Sequence, residues 1–387
     1  MSVTTNITAI FMQMQRLIRG NCDWMFQVLR DKIAAYSDMG CHVLVAENPL
    51  SVVVVTPIMS RAHTLQQSSG ICFVDTTASC DSQNLSVTFM LAPCAAGAVP
   101  LAVIITDSQS EASYSHGFEM LKNSGLQLFG GSGYPEVFMT DDSTPLHNAL
   151  HAVWPFSQQT LCLFHVPQAN WRWLWDSSNN IAKTDRPALM AEFQRIMLST
   201  DIIEAEEQFR SGTSSRLAKK YPQWKHRLET YWLRKERWCL AYRSAVQRGH
   251  QTNNFSEVTV RLFKDIVLSR AKAYNAVSLV DFICTAMEQY YSRRLLDFAH
   301  SRVAGPTLWL GRLVKKAEYV ESGSIITVSD AVFHVPSSSD SSMLYTVDVV
   351  NGVCSCVDGM FGRFCKHQAA VMQHKPGLFS YFDAFDQ

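Results

Sequence analysis

Several kinds of bias are missing from this chain. Lys plus Arg and Asp plus Glu each number 34 in 387 residues, so bulk charge points neither to a polyanionic partner nor away from one. No apolar run approaches the ~20 residues of a membrane span. Met1 to Arg19 mixes apolar with polar residues and has no small-residue cleavage pattern, so neither an anchor nor a secretory leader is expected. The 11 cysteines are an odd number without the spacing of a secreted disulfide framework, which points to a reducing compartment, the cytosol or nucleus. Internal repeats are absent, and the Ser-rich stretch 336–342 is the nearest thing to low complexity. With 47% hydrophobic and 18% charged residues the composition excludes disorder, and 387 residues exceed one ordinary core.

What is present is a change of pattern along the chain. A helical stretch around 23–37, with Arg30, Asp31 and Lys32 on its polar side, precedes a β-branched run at 51–56. Apolar runs of strand length follow at 71–75, 85–91 and 99–106, the last two joined by a turn at 92–97. Tyr114, Phe118 and Leu121 recur at helical spacing within 108–122. A fourth strand at 137–140, a helix opened by Pro145 and a fifth strand at 160–164 lead to the Trp-rich 171–175. The expected order, βββαβαβ then helix, is that of an RNase H-like sheet. Residues 177–300 lack strand signals and read as helical, with a helix starting at Asn253-Asn254, and strands return near 324–328, 332–335 and 345–350.

Cys354-Ser355-Cys356 and Cys365-Lys366-His367 supply four borderline-soft ligands within fourteen residues, as a tetrahedral zinc ion requires. Ligands two apart on a regular strand would face opposite ways, so the first pair must lie where the chain turns, and Asn351-Gly352 would allow that. The second pair opens a short helix over 366–373. The competing accounts are buried free cysteines beside a surface histidine, or His374 in place of His367. Cys-x-Cys, eight residues and Cys-x-His after a strand resembles the SWIM zinc finger. That resemblance implies a small ββα-type module with a structural Zn²⁺ and a role in binding DNA or protein.

Two acids fall at strand ends: Asp75 ends the first strand of the core and Asp141 follows the fourth. These strands are neighbours in an RNase H-like sheet, so both carboxylates would project from one edge. Paired divalent ions held by three carboxylates can activate a nucleophile and stabilise the leaving oxygen of a phosphodiester. Glu257, in the first turn of a helix, is the candidate third acid, and Glu111 a weaker one. Each has a rival account. Asn254 with Glu257 matches a capping box, and Asp141 or Asp142 could cap the helix near Pro145.

Phe73-Val74-Asp75-Thr76-Thr77, the run Val137 to Asp142 and Leu161-Cys162-Leu163-Phe164-His165 resemble the core of Mutator-like element (MULE) transposases. A SWIM finger behind such a core is the family's usual arrangement. The resemblance implies that Asp75, Asp141 and Glu257 form an Asp-Asp-Glu triad holding catalytic Mg²⁺ or Mn²⁺, with Asp141 preferred to Asp142 because the family's acid directly follows Thr. It also implies that Cys162 and His165 are the Cys-x-x-His element beside the active site. By the same resemblance, a DNA-binding zinc domain that usually precedes the core is missing or degraded in 1–50.

Between residues 210 and 248 eleven Lys or Arg face only two acids, Glu229 and Glu236, and Tyr221, Trp224, Tyr231, Trp232, Trp238 and Tyr242 interleave with them. Basic residues with aromatics suit phosphate contact and base stacking, or else a solvated face over an aromatic core. The expected organisation is an N-terminal region (1–66) that is a remnant of a DNA-binding domain, the first part of an RNase H-like core (67–176), a basic helical insertion (177–250), the last core helix with the third acid (251–300) and a SWIM-type module (301–387). The expected function is nuclear DNA transposition by a homo-oligomer without membrane contact, with protein partners through the SWIM module. A domesticated, catalytically silent binding factor is the alternative, and an ordinary nuclease a third.

Overall fold

The computed structural model describes residues 22–243, 253–300, 313–338, 340, 343–349, 353–360 and 364–375. The readings made for Met1 to Arg19, Asn351-Gly352 and Arg248 lie outside these residues.

A helix α1 (Cys22–Asp38) leads into a hairpin of β1 (His42–Glu47) and β2 (Leu50–Val55), then a short α2 (Pro57–His63). The meander β3 (Ile71–Thr77), β4 (Ser86–Cys94) and β5 (Gly97–Thr106) follows, then α3 (Glu111–Lys122), β6 (Val137–Thr140), α4 (Thr144–Val153) and β7 (Gln158–Leu161). These strands form one mixed sheet of seven, in the order β1-β2-β5-β4-β3-β6-β7. Only β3–β6 and β6–β7 pair in parallel. The run β5-β4-β3-β6-β7, with the first strand of the meander in its middle, is compatible with an RNase H-like core.

The central strands read as continuous apolar runs because both faces are covered. Every residue of β2 is buried. On one face α3 approaches so closely that a Cβ on Gly117 would lie 2.6 Å from Ile104 Cγ2. The sequence division at residue 66 falls inside this unit: β2 hydrogen-bonds to β5 from Ser51↔Thr106 to Val54↔Val103. Lys32 and Tyr36 of α1 also reach Asp281, at 2.5 and 2.8 Å, which ties that helix to the core. Residues 22–66 thus extend the α/β core, because Val52 to Val55 are too apolar to be left outside it.

The helical expectation for 177–300 matches the described residues there. Helices α5 (His165–Trp175), α6 (Arg186–Leu198), α7 (Ile202–Ser214), α8 (Arg216–Lys220) and α9 (Pro222–Trp232) surround a second core of Phe193, Trp224 and Trp238. The chain then returns to the sheet as α10 (Asn254–Leu262), where Phe255 packs edge-on to Phe73 of β3 at 5.4 Å. Two further helices, α11 (Ala276–Phe282) and α12 (Glu288–Ala299), complete the first core. A separate small sheet has the order β11-β10-β9-β8, from β8 (Ile326–Thr327), β9 (Val332–Pro336), β10 (Leu344–Asp348) and β11 (Val353–Cys354). It packs with α13 (Val357–Met360) and α14 (Lys366–His374).

Candidate active site

Parallel pairing of β3 with β6 brings the first two acids together. Its register, Ile71↔Val137 through Phe73↔Met139, carries forward to place Asp75 opposite Asp141 just beyond the strand end. The β6–β7 register, Thr140↔Leu161, does the same for Cys162, whose N–H donates to Thr140 O at 2.9 Å. All three lie at the carboxyl ends of parallel strands, where α/β sheets commonly bind ligands. The fifth strand stops at Leu161, earlier than the apolar run to Phe164 suggested, and His165 is the first residue of α5.

His165 stands between two acids. Its Nδ1 is 2.6 Å from Asp141 Oδ1 and its Nε2 is 3.2 Å from Glu257 Oε1. The closer approach falls outside hydrogen-bond angles, leaving both atoms buried without a hydrogen-bond partner. Contact with Asp141 first, then with Cys162, outweighs burial and holds the His165 imidazole protonated up to about 10. Burial first and the Asp141 charge second push the Asp75 carboxyl up to about 6, although Thr76 N–H donates to its Oδ1 at 2.7 Å.

Asn253, not Asn254, precedes the first turn of α10, so Glu257 is not at the capping-box position. The Asn253 side chain makes no cap bond, and its backbone N–H donates to Cys162 Sγ at 3.1 Å. Neither Asp141 nor Asp142 caps α4, whose N-cap is Ser143. Asp142 is gripped by Arg234, and burial, which raises its carboxyl, loses to that guanidinium, which holds it below the usual range. Glu111 accepts from Asn148 Nδ2 at 2.7 Å, on the surface.

Sequence reasoning missed how the insertion meets this site. Arg237 Nη1 donates to His147 Nδ1 at 3.3 Å, so the ring proton is on Nε2, which donates to Thr140 Oγ1 at 2.7 Å. Thr140 in turn donates to the Asp141 carbonyl at 2.8 Å. Burial, then the Arg237 charge, lowers His147 to about 4 and keeps this relay neutral at its middle. The three guanidinium nitrogens of the half-buried Arg243 are buried and lack hydrogen-bond partners among the described residues. Nothing local marks these residues, since each acts across about ninety residues of chain.

Of the two accounts of the aromatics over 221–242, the structure shows the aromatic core. Trp224 and Trp238 are 0% and 1% exposed, Tyr221 and Tyr231 are buried with them, and Trp232 stacks on Phe209 at 4.3 Å. The helices need an apolar centre of their own, and these rings are it. The large aromatics left exposed nearby are Trp171 and Trp175.

In the terminal module Cys354, Cys356, Cys365 and His367 are buried with one ligand atom each within 4.8 Å of the others. Ending β11 at Cys354 resolves the facing problem of a Cys-x-Cys pair, because α13 begins immediately after Cys356. His367 Nδ1 lies 3.8 and 3.7 Å from the sulfurs of Cys354 and Cys365. Bonds of ~2.3 and ~2.05 Å in a tetrahedron imply about 3.6 Å, so the donor set fits zinc. Cys365 caps α14 in a capping box with Gln368, and N–H groups of Cys356 and Gly359 donate to Cys354 Sγ and Cys356 Sγ at 3.5 and 3.3 Å. His374 is turned away, its Nε2 3.0 Å from Val320 O.

A mixed α/β domain compatible with an RNase H-like core, with acids gathered at its parallel strand ends, is the class of protein defined so far. Residues 72–169 match the family model of the MULE transposase domain, a stretch from β3 into α5 that includes Asp75, Asp141, Cys162 and His165. This match supports a transposase or transposase-derived protein, and with it divalent metal use and DNA binding. No curated protein matches the chain. No helix among the described residues is long and apolar enough to cross a membrane.

Proposed function

We propose that the chain is a DNA transposase, or derives from one, whose Asp75, Asp141 and Glu257 hold Mg²⁺ or Mn²⁺ for cutting and joining DNA strands. The observation that carries this reading is the β3–β6 register, which sets Asp75 beside Asp141. The fit to a divalent cation lies in the crowding itself. Burial and a neighbouring carboxylate raise Asp75 to about 6, a penalty that a bound cation removes. When bound, paired divalent ions activate water or a 3′-hydroxyl and stabilise the leaving oxygen of a phosphodiester. The chain's own part is to hold and orient. His165 fixes Asp141 and Glu257 at a set spacing, Cys162 and the Asn253 N–H tie α10 to the strand ends, and Arg234 and Arg237 brace the segment that follows Asp141.

In this reading 67–176 and 251–300, joined by residues 22–66, are the catalytic core, 177–250 is a basic insertion over the DNA path, and 301–387 is a SWIM-type module. Cys354, Cys356, Cys365 and His367 would hold a structural Zn²⁺, and the module would bind DNA or protein. Nuclear residence and a homo-oligomer belong to the same reading. A strand-transfer assay with Mg²⁺ comparing wild type with Asp75→Ala tests it. Equal activity in both, or none in either, removes the catalytic claim.

A second reading, a silent DNA- or protein-binding factor, is favoured by one observation. His165 occupies the space between Asp141 and Glu257, and the three acids do not form a single tight ligand group among the described residues. DNA binding without cleavage, unchanged in Asp75→Ala, would select it, and an ordinary nuclease would cleave without joining.

A further inference from the structure

The terminal cysteines are not the only mixed ligand set among the described residues. Cys162 Sγ, a ring nitrogen of His165 and a carboxylate oxygen of Asp141 also lie within 4.8 Å of one another. Glu257 Oε1 lies 3.2 Å from His165 Nε2 and so orients the ring with Nδ1 toward Asp141. His165 Nδ1 faces Asp141 Oδ1 at 2.6 Å, and both atoms are buried without a hydrogen-bond partner. A cation lying against both would supply the partner that each atom lacks. The sulfur is held in place by the Asn253 N–H, which donates to it at 3.1 Å.

We propose that Cys162, His165 and Asp141 bind a zinc-type divalent transition-metal ion, a second such site separate from the terminal cluster. Thiolate and imidazole select a borderline-soft ion over Mg²⁺, so the site has a soft side and a hard side that meet at Asp141. Three protein ligands leave a fourth position for water or a phosphate oxygen. Glu257 and the Asn253 N–H are the outer contacts that orient the imidazole and the sulfur. The site does not depend on whether the chain cuts DNA, and its rival is a metal-free imidazolium held between two carboxylates, which needs no sulfur ligand.

The test uses the full-length protein, stripped by chelator and reloaded with Zn²⁺ or Co²⁺ in the presence of excess Mg²⁺. Wild type is expected to hold two equivalents, and Cys162→Ser and His165→Ala one each. Cys162→Ser is also expected to lose part of the thiolate-to-cobalt absorption. Cys356→Ser removes the other equivalent and leaves the Cys162-dependent absorption in place. Circular dichroism and the melting temperature establish that each variant folds. Should Cys162→Ser not fold, His165→Ala, at a ring 24% exposed, gives the same count. Unchanged metal content and cobalt spectrum in the folded variants would overturn the proposal.

Discussion

Arg234 holds Asp142 with both arms of its guanidinium, Nη1 to Oδ1 at 2.5 Å and Nη2 to Oδ2 at 2.7 Å, across 92 residues of chain. Asp142 directly follows Asp141, so this fork fixes the insertion to the end of β6. Both side chains are mostly buried, at 29% and 21% exposed, so removing one partner leaves a partly desolvated charge. Arg234→Ala is expected to cost on the order of 1–3 kcal/mol in urea unfolding, and Arg234→Lys to recover only part, because an ammonium cannot make the fork. Equal stability of the alanine variant would show the pair to be a surface contact only.

The two adjacent acids should behave differently. Asp141→Ala and Asp75→Ala are expected to abolish Mn²⁺ binding measured by calorimetry. Asp142→Ala is expected to keep that binding while losing stability, since its carboxylate is committed to Arg234. Loss of Mn²⁺ affinity in Asp142→Ala alone would exchange their roles.

His63 is 1% exposed, and burial lowers it to about 4. A depressed histidine leaves the fold refusing a proton that the unfolded chain accepts. Its contribution is therefore intact above pH 6.5 and is lost as pH falls from there to about 4. The stability gap between wild type and His63→Gln should narrow by about 2 kcal/mol between pH 7.5 and pH 5. Comparison with the variant cancels the other titrations, including Asp75, which acts in the opposite direction. A gap constant with pH would mean that the ring does not titrate low.

Gly359 leaves no room for a side chain: a Cβ there would stand 2.2 Å from the Cys354 carbonyl oxygen. Gly359→Ala must displace the backbone that positions Cys354, and metal analysis should show loss of the terminal zinc equivalent. Retention of full zinc content would mean that the loop adjusts without cost.

Trp224 and Trp238 are core residues in spite of their basic neighbours. Alanine at either should destabilise by roughly 3–5 kcal/mol in denaturant titration, with DNA affinity falling only through unfolding. Trp175→Ala, at an exposed ring, should leave stability within about 0.5 kcal/mol. The reverse pattern would restore a stacking role to the buried pair.

Much of the core could be read in the sequence because its signals are local. Strand-length apolar runs gave the meander and the parallel pair, and a proline marked α4. Asp75 and Asp141 were legible because they sit at strand ends. The hairpin β1–β2 was hidden because its pairing partner, β5, lies some fifty residues away, and a β-branched run does not announce which sheet it joins. Tyr231 and Trp238 looked like a binding surface because periodicity does not distinguish a ring turned inward from one turned out when basic residues alternate with it. Arg234 and Arg237 carried no signal, because a guanidinium is ordinary on any surface until the fold brings an acid or an imidazole to it.

The bond from the Asn253 N–H to Cys162 Sγ spans 91 residues. On the ribosome, at about 5–20 residues per second, Cys162 therefore emerges several seconds or more before the group that completes its surroundings. Until α10 arrives, the strand ends lack Glu257 and the sulfur lacks its donor. The nascent polypeptide thus carries an unfinished pocket while those 91 residues are made, and competence is conferred by the returning helix.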